Sequence, residues 1–368
     1  MATRAPSFLA PRASTLWRMA GRFPPRPRAP YGTSAGTPCP DTRPDPTGAR
    51  TFRAATRAAA AAKPETPARS RTWTPPYPAD LGLILGVLRR GPGDPAFRLT
   101  QDRAVWRASR TPEGPATLRV ALRAGRAEAT AWGPGADWFL DRLPELLGAA
   151  DAPEAFTPRH RLVADSARRA TGLRLTRTGL VLESLIPSVL EQKVTADEAY
   201  RAWRRLLTRH GEPAPGPAPE RMAVMPDPRA WSLIPSWEWH RAGVDDKRAA
   251  TILRAVRLHS RLERAATLPP EKAAALLEAV SGIGPWTSAE VVQRTHGAPD
   301  AITTGDLHLP GIIGYALTGD RTTDDAAMLE LLAPYAGQRH RAARLILLAG
   351  RVPPRRTPKM PYSDISRL

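Results

Sequence analysis

The sequence predicts an α+β protein, a small mixed α/β sheet domain followed by a longer, all-helical one. Three observations carry that reading. Between residues 72 and 155, runs such as Thr117-Leu-Arg-Val-Ala-Leu place Leu118, Val120 and Leu122 in the period-2 pattern of a half-buried strand. From about residue 156 the apolar spacing turns helical, as in Pro270–Val280, where Ala273, Leu276, Leu277 and Val280 fall at i, i+3, i+4 and i+7. A bare turn then interrupts the helical pattern: in Ser281-Gly-Ile-Gly-Pro-Trp-Thr-Ser-Ala-Glu290 two glycines bracket one apolar residue.

Ahead of the sheet domain lies a head, residues 1–71, rich in Ala, Pro and Arg. The whole chain of 368 residues holds 54 Lys and Arg against 35 Asp and Glu, a net charge of +19 that suits a polyanionic partner. The head alone holds 13 basic against 3 acidic residues, so +10 of the surplus lies there. Such a composition buries too little apolar surface to offset the entropy of ordering. It reads as a disordered basic tail or as translation from a start codon placed too far upstream; acid-poor, Arg-rich heads also serve as organellar transit peptides. The only cysteine, Cys39, excludes an intrachain disulfide framework and a thiolate zinc or four-cysteine iron–sulfur site within one chain, and suits a reducing compartment. No apolar run approaches the ~20 residues of a membrane span.

In the sheet domain, residues 72–155, Ala79–Arg89 reads as a helix. Strand-like runs follow at Phe97–Thr100, Ala104–Arg107, Thr117–Leu122 and Glu128–Trp132, then a Gly133-Pro-Gly break and a closing helix, Asp137–Leu147. In the helical domain, residues 156–350, helices are expected over Leu180–Leu190, Ala196–Thr208, Asp246–Leu262, Pro270–Val280, Asp325–Pro334 and Arg339–Leu348. The Pro-rich stretch Glu212–Pro219 reads as a linker between helices, and residues 351–368 as a basic extended tail.

The turn in SGIGPWTSAE carries the chemistry. Pro285 suits a first helical position, where its missing N–H costs nothing. Gly282 and Gly284 permit backbone angles closed to other residues and let another backbone approach. A helix starting there presents unpaired N–H groups, an anion site able to hold a DNA phosphate without reading sequence. A plain turn between helices with a glycine C-cap is the simpler alternative. Against it stands the full string Leu277-x-x-Val280-x-Gly282-Ile-Gly284-x-Trp286-Thr287, followed by an acid at Asp306.

With those residues the chain resembles the helix–hairpin–helix DNA glycosylases, and specifically the DNA-3-methyladenine glycosylase II type. The resemblance covers roughly residues 72 to 350, most firmly Leu277–Asp306 and more loosely Leu182–Ala202. It implies that Asp306, in Ala301-Ile-Thr-Thr-Gly-Asp306-Leu, is the essential carboxylate; the plainer reading is a helix N-cap. A base alkylated at a ring nitrogen is a good leaving group, and a fixed carboxylate stabilises the oxocarbenium-like sugar and orients or deprotonates the attacking water. Trp286 stands where glycosylases that also cut the backbone carry a Lys, so the resemblance points to a monofunctional enzyme without lyase activity. It also places Trp286 in the base pocket, against a cationic base, with packing between the helices as the alternative. Gly282, Gly284 and Thr287 are the implied DNA contacts of the hairpin. Gln192 and Lys193, in Ile186-Pro-Ser-Val-Leu-Glu-Gln192-Lys193-Val-Thr, match the loop that enters the minor groove, with Lys193 at the place of an apolar or amide wedge and Glu191 at that of a glycine.

The resemblance implies no catalytic cofactor, no metal held by side chains and no iron–sulfur cluster. It allows a structural monovalent cation at the backbone carbonyls of Glu278, Val280 and Gly282. The implied partner is double-stranded DNA with damaged bases, bound by a monomer in the cytoplasm with the nucleoid. Two departures bear on the pocket: Glu290 and Gln338 stand where aromatic residues are typical. Trp237 and Trp239 could supply aromatic surface but read better as core. Arg339–Leu345 and Arg351–Lys359 either follow the phosphate backbone or form solvated faces, and His308 has no assigned role. The alternatives are a non-catalytic hairpin protein that binds DNA and a monofunctional glycosylase for another damaged purine.

Overall fold

The computed structural model describes residues 67–354. The head up to residue 66, Cys39 included, and the tail from 355, which holds most of Arg351–Lys359, lie outside the described residues.

Five antiparallel strands form one sheet in the order β1-β5-β4-β3-β2: β1 Ala68–Trp73, β2 Phe97–Leu99, β3 Val105–Thr111, β4 Gly114–Arg123 and β5 Arg126–Trp132. The expected alternation puts Leu118 and Val120 in the core. β1 lies at the edge, pairs Ala68 with Trp132, and leaves most of its side chains exposed. It therefore has no apolar pattern to read, and the boundary at residue 72 has to move: the composition-defined head runs into this strand. One face of the sheet packs on α1 Leu81–Leu85, α2 Ala136–Asp141 and α3 Leu143–Leu146 around Ile84, Leu85, Phe139 and Leu143. The helix expected at Ala79–Arg89 is shorter and ends in a 3₁₀ turn, and that at Asp137–Leu147 divides before Pro144.

The other face of the sheet corrects a second reading. Trp106 and Trp132 stack there, 5.5 Å apart and 8° from parallel. The Pro-rich stretch expected as a linker folds onto them, with Ala214, Met222 and Val224 joining both indoles. Two short strands, β6 Glu212–Pro213 and β7 Ala223–Val224, close it as a hairpin. A Cβ at Gly216 would lie 2.3 Å from Trp132 Cγ, so the loop touches the indole through bare backbone.

The rest of the described chain is built on α-helices joined by loops and 3₁₀ turns: α4 Arg161–Arg169, α5 Val181–Leu190, α6 Ala196–His210, α7 Pro228–Ser232, α8 Ser236–Ala242, α9 Asp246–Arg257, α10 His259–Glu263, α11 Pro270–Glu278, α12 Pro285–Thr295, α13 Leu309–Leu317, α14 Asp325–Leu332 and α15 Arg339–Ala349. α5, α6, α9, α11 and α12 share one core, which includes Leu185, Trp203, Trp231, Ile252, Leu277 and Val291. α13, α14 and α15 share another with α4, around Leu309, Met328 and Ile346. Trp239 is core at 2 % exposed, whereas Trp237 is 64 % exposed, against the expectation that both are buried. The two are neighbours on α8 but lie two residues apart, so they point to different sides of the helix.

All described residues fall in one compact unit. Ion pairs shielded from solvent join the two parts: Arg90, in the loop before β2, to Glu191; Arg107 of β3 to Glu183 of α5; and, from the loop after α3, Asp151 to Arg341 of α15. Arg294 on α12 donates from Nε to the carbonyl of Val87 (3.1 Å).

Candidate functional site

Three loops and one helix enclose a cleft of about 860 Å³. The loops are Glu191–Val194 after α5, the hairpin turn between α11 and α12, and Gly305–His308 before α13. The helix is α9, from Asp246 to Arg254. Gln192, Lys193, Gly282, Gly284, Trp286, Thr287 and Asp306, the site residues expected from sequence, all line it.

The hairpin turn depends on one of its two glycines. Gly282 has φ +97°, a conformation side chains rarely adopt, and a Cβ there would lie 2.2 Å from Thr251 Oγ1 of α9. Gly284 is extended (φ −117°) with open space where a Cβ would be. It is the N-cap of α12, which no side chain caps, so the first turn of α12 opens beside the cleft without a protein acceptor from a cap side chain.

Thr287 is 2 % exposed, and its hydroxyl accepts a hydrogen bond from Gln192 Nε2 at 2.8 Å. The same amide donates to the Gly282 carbonyl at 3.0 Å. Both side chains expected to reach DNA are thus turned inward and tie the Gln192 loop to the hairpin. Lys193 is exposed at the tip of that loop, with φ +55°. A non-glycine residue in this region is mildly strained, so the sharp reversal at the tip is held by the contacts around it.

Asp306 is 8 % exposed. Its Oδ1 accepts from the backbone N–H groups of His308 (2.8 Å) and Leu309 (2.9 Å), at the start of α13. Its Oδ2 accepts from Trp286 Nε1 at 3.0 Å. One oxygen of the carboxylate therefore holds the turn that leads into α13, whose N-cap is His308, and the other meets Trp286 in the cleft.

Glu290 does not line the cleft. One turn along α12 from Trp286, it is 1 % exposed, pairs with Arg294 at 2.9 Å and accepts from Thr303 Oγ1 at 3.1 Å. Gln338 likewise turns away, accepting from Arg341 Nε at 2.8 Å. Neither stands in for a pocket aromatic. Glu191 joins the cleft to the interior: it pairs with Arg90 at 2.8 Å, and the side chains are 5 % and 4 % exposed. Burial pushes its carboxyl up to about 7, and the Arg90 charge opposes the rise only in part.

Sequence reasoning missed the α9 wall. Lys247, Thr251 and Arg254 face the cleft, and Arg254 Nε donates to the Ser281 carbonyl at 2.9 Å. Helical spacing alone marks these as an ordinary polar face. Leu307, 53 % exposed beside Asp306, was missed for the same lack of a pattern. Of the three carbonyls expected to hold a cation, that of Val280 accepts from Ile283 N–H and that of Gly282 from Gln192, each at 3.0 Å. Each of these two carbonyls keeps a second lone pair. Among the described residues no group of three or more His, Cys, Asp or Glu side chains is placed to hold a metal, and no helix is long and apolar enough to cross a membrane.

No protein-family model and no curated protein matches the chain. Solved structures do. One is a 3-methyladenine DNA-glycosylase from Archaeoglobus fulgidus, at 16% identity and a TM-score of 0.61, covering 76% of this chain and 97% of that one. Another is an 8-oxoguanine glycosylase/lyase from Clostridium acetobutylicum, in complex with double-stranded DNA containing cytosine opposite 8-oxoguanine. It matches at 10% identity and a TM-score of 0.59, over 75% of this chain and 92% of that one. With the hairpin and the sheet packed on the helices, the chain has the fold of the helix–hairpin–helix DNA glycosylases.

Proposed function

We propose that this protein is a monofunctional DNA glycosylase that flips alkylated purines, of the 3-methyladenine kind, out of duplex DNA and hydrolyses their glycosidic bond. The observation that carries the proposal is Asp306, a carboxylate anchored at the cleft beneath the hairpin, with one oxygen on Trp286. The hairpin amides hold a phosphate, Lys193 enters the gap left by the flipped nucleotide, and Asp306 stabilises the positive charge that grows on the sugar as the base leaves. A base already charged by alkylation needs little further help, so a single carboxylate suffices. Trp286 occupies the hairpin position where a nucleophilic lysine would stand, which supports hydrolysis without strand cleavage. A structural monovalent cation at the carbonyls of Glu278, Val280 and Gly282 belongs to the same reading, as does a monomer acting on cytoplasmic, nucleoid DNA.

The test is a panel of duplexes carrying 3-methyladenine, 7-methylguanine, hypoxanthine or 8-oxoguanine, incubated with purified protein and developed with hot alkali. Abasic sites are expected on the alkylated duplexes, with strand breaks only after alkali. Incubation with borohydride is expected to trap no covalent complex. A trapped band would assign an amine nucleophile, Lys193 being the amine in the cleft loop, and no release from any duplex would reduce the protein to a DNA-binding module.

A further inference from the structure

We infer that Trp286 is a positioning residue for Asp306: its indole N–H fixes Oδ2 so that the last uncommitted lone pair of the carboxylate faces the nucleotide in the cleft. The inference rests on the glycosylase reading above. An ionised carboxylate offers about four lone-pair sites. Here the backbone N–H groups of His308 and Leu309 take Oδ1, and Trp286 Nε1 takes one side of Oδ2. One site on Oδ2 is left, on a residue that lines the cleft and is otherwise buried.

The character of the donors matters as much as their number. All three are uncharged N–H groups, and among the described residues Asp306 belongs to no ion pair. Neutral donors orient a carboxylate without cancelling its charge, whereas a lysine or arginine partner would satisfy the charge that the sugar is to use. Trp286 is also well chosen as an anchor. It sits in the first turn of α12, directly after Pro285, so the hairpin backbone that would grip DNA also sets the place of the indole. A phosphate that settles on the hairpin thereby fixes the reactive oxygen through one side chain. The aromatic face of Trp286 can still meet a base, because the hydrogen bond uses only the ring edge.

Trp286→Phe keeps an aromatic face and deletes the donor. Single-turnover release of 7-methylguanine is expected to fall at least about tenfold, the scale of a hydrogen bond to a charged acceptor. Affinity for a duplex carrying an abasic-site analogue is expected to stay within about twofold, since that duplex has no base to stack. In the free protein, the indole N–H resonance of Trp286, assigned by its loss in Trp286→Phe, is expected to move upfield in Asp306→Ala. Unchanged release by Trp286→Phe, a loss of affinity that matches the loss of rate, or an indole resonance indifferent to Asp306→Ala would each overturn the inference. A wild-type protein inactive on every lesion while its indole still responds to Asp306→Ala would instead sink the glycosylase reading, and the catalytic sense of the contact with it.

Discussion

Asp306 and Glu290 sit at opposite ends of one short stretch of chain and in opposite surroundings. Asp306 faces the cleft and is held by N–H donors alone. Glu290 belongs to a buried layer where charge meets charge: it pairs with Arg294 on the same helix, beside the Glu191–Arg90 pair, and the charges of Glu290, Arg90 and Arg294 all act on the Glu191 carboxyl. The layer adjoins the cleft at Glu191, which belongs to both. A carboxylate oriented by neutral donors keeps its charge for a ligand, whereas a carboxylate paired with a guanidinium spends it on the fold. If that division is right, changes in the cleft alter function with the fold kept, and changes in the layer alter stability with the chemistry kept.

The largest effect is expected from Asp306→Asn. It removes charge and little shape, so base release should fall about a thousandfold or more, the scale seen when a group that acts on transition-state charge is removed. DNA affinity should stay near wild type. Single-turnover rates and anisotropy measure the two; a variant that keeps most of its activity would move the catalytic role elsewhere.

Glu191→Gln probes the layer. In the folded protein burial pushes the Glu191 carboxyl up to about 7, from 4.5 when free. Between those values the folded chain keeps a proton that the unfolded chain has lost. Wild-type stability should therefore drop, relative to the Gln variant, by up to about 1.4 kcal/mol per pH unit as pH rises through that window, and no further above it. Urea melts of both proteins at pH 5, 6, 7 and 8 read the difference; parallel pH curves would mean that Glu191 is ionised throughout.

The smallest effect is expected from Gly284→Asp. Nothing lies where its Cβ would be, and an aspartate there is a favourable cap for α12. The melting temperature should hold or rise slightly. Affinity for any duplex, damaged or not, should fall about fivefold to tenfold, close to 1–1.4 kcal/mol, with a shallower salt dependence, because a negative charge would meet the phosphate. Unchanged affinity in a folded variant would leave SGIGPWTSAE as a turn between core helices.

Legibility followed how local the cause was. Asp306 was singled out through the resemblance, whereas the hairpin could be read because a tight turn demands particular residues at adjacent positions. The alternating strand at Leu118–Leu122 and the helix at Pro270–Val280 were legible for the same reason. The Pro-rich stretch was misread as a linker because what holds it, the Trp106–Trp132 stack, lies some eighty residues or more before it in the chain. Glu290 was set against a pocket aromatic because the resemblance places one a turn after Trp286, while its partner Arg294 lies one turn further and turns it inward. Gln192 and Thr287 read as DNA contacts, and only their bond to each other, across 95 positions of sequence, shows that they brace the hairpin. The edge strand β1 carries no apolar period, and the wall residues Lys247, Thr251 and Arg254 lie on the polar side of α9, where the apolar spacing marks the helix but not its role.

The two glycines of the turn differ in a way that bears on how the sequence can drift. At position 282 the fold itself forbids other residues, through a positive φ and the Thr251 hydroxyl, so a glycine kept there among descendants says only that the protein still folds. Position 284 is under no such constraint. Selection has no structural reason to retain a glycine at 284, and its retention across diverging lineages would record the pressure of a ligand that needs the bare backbone.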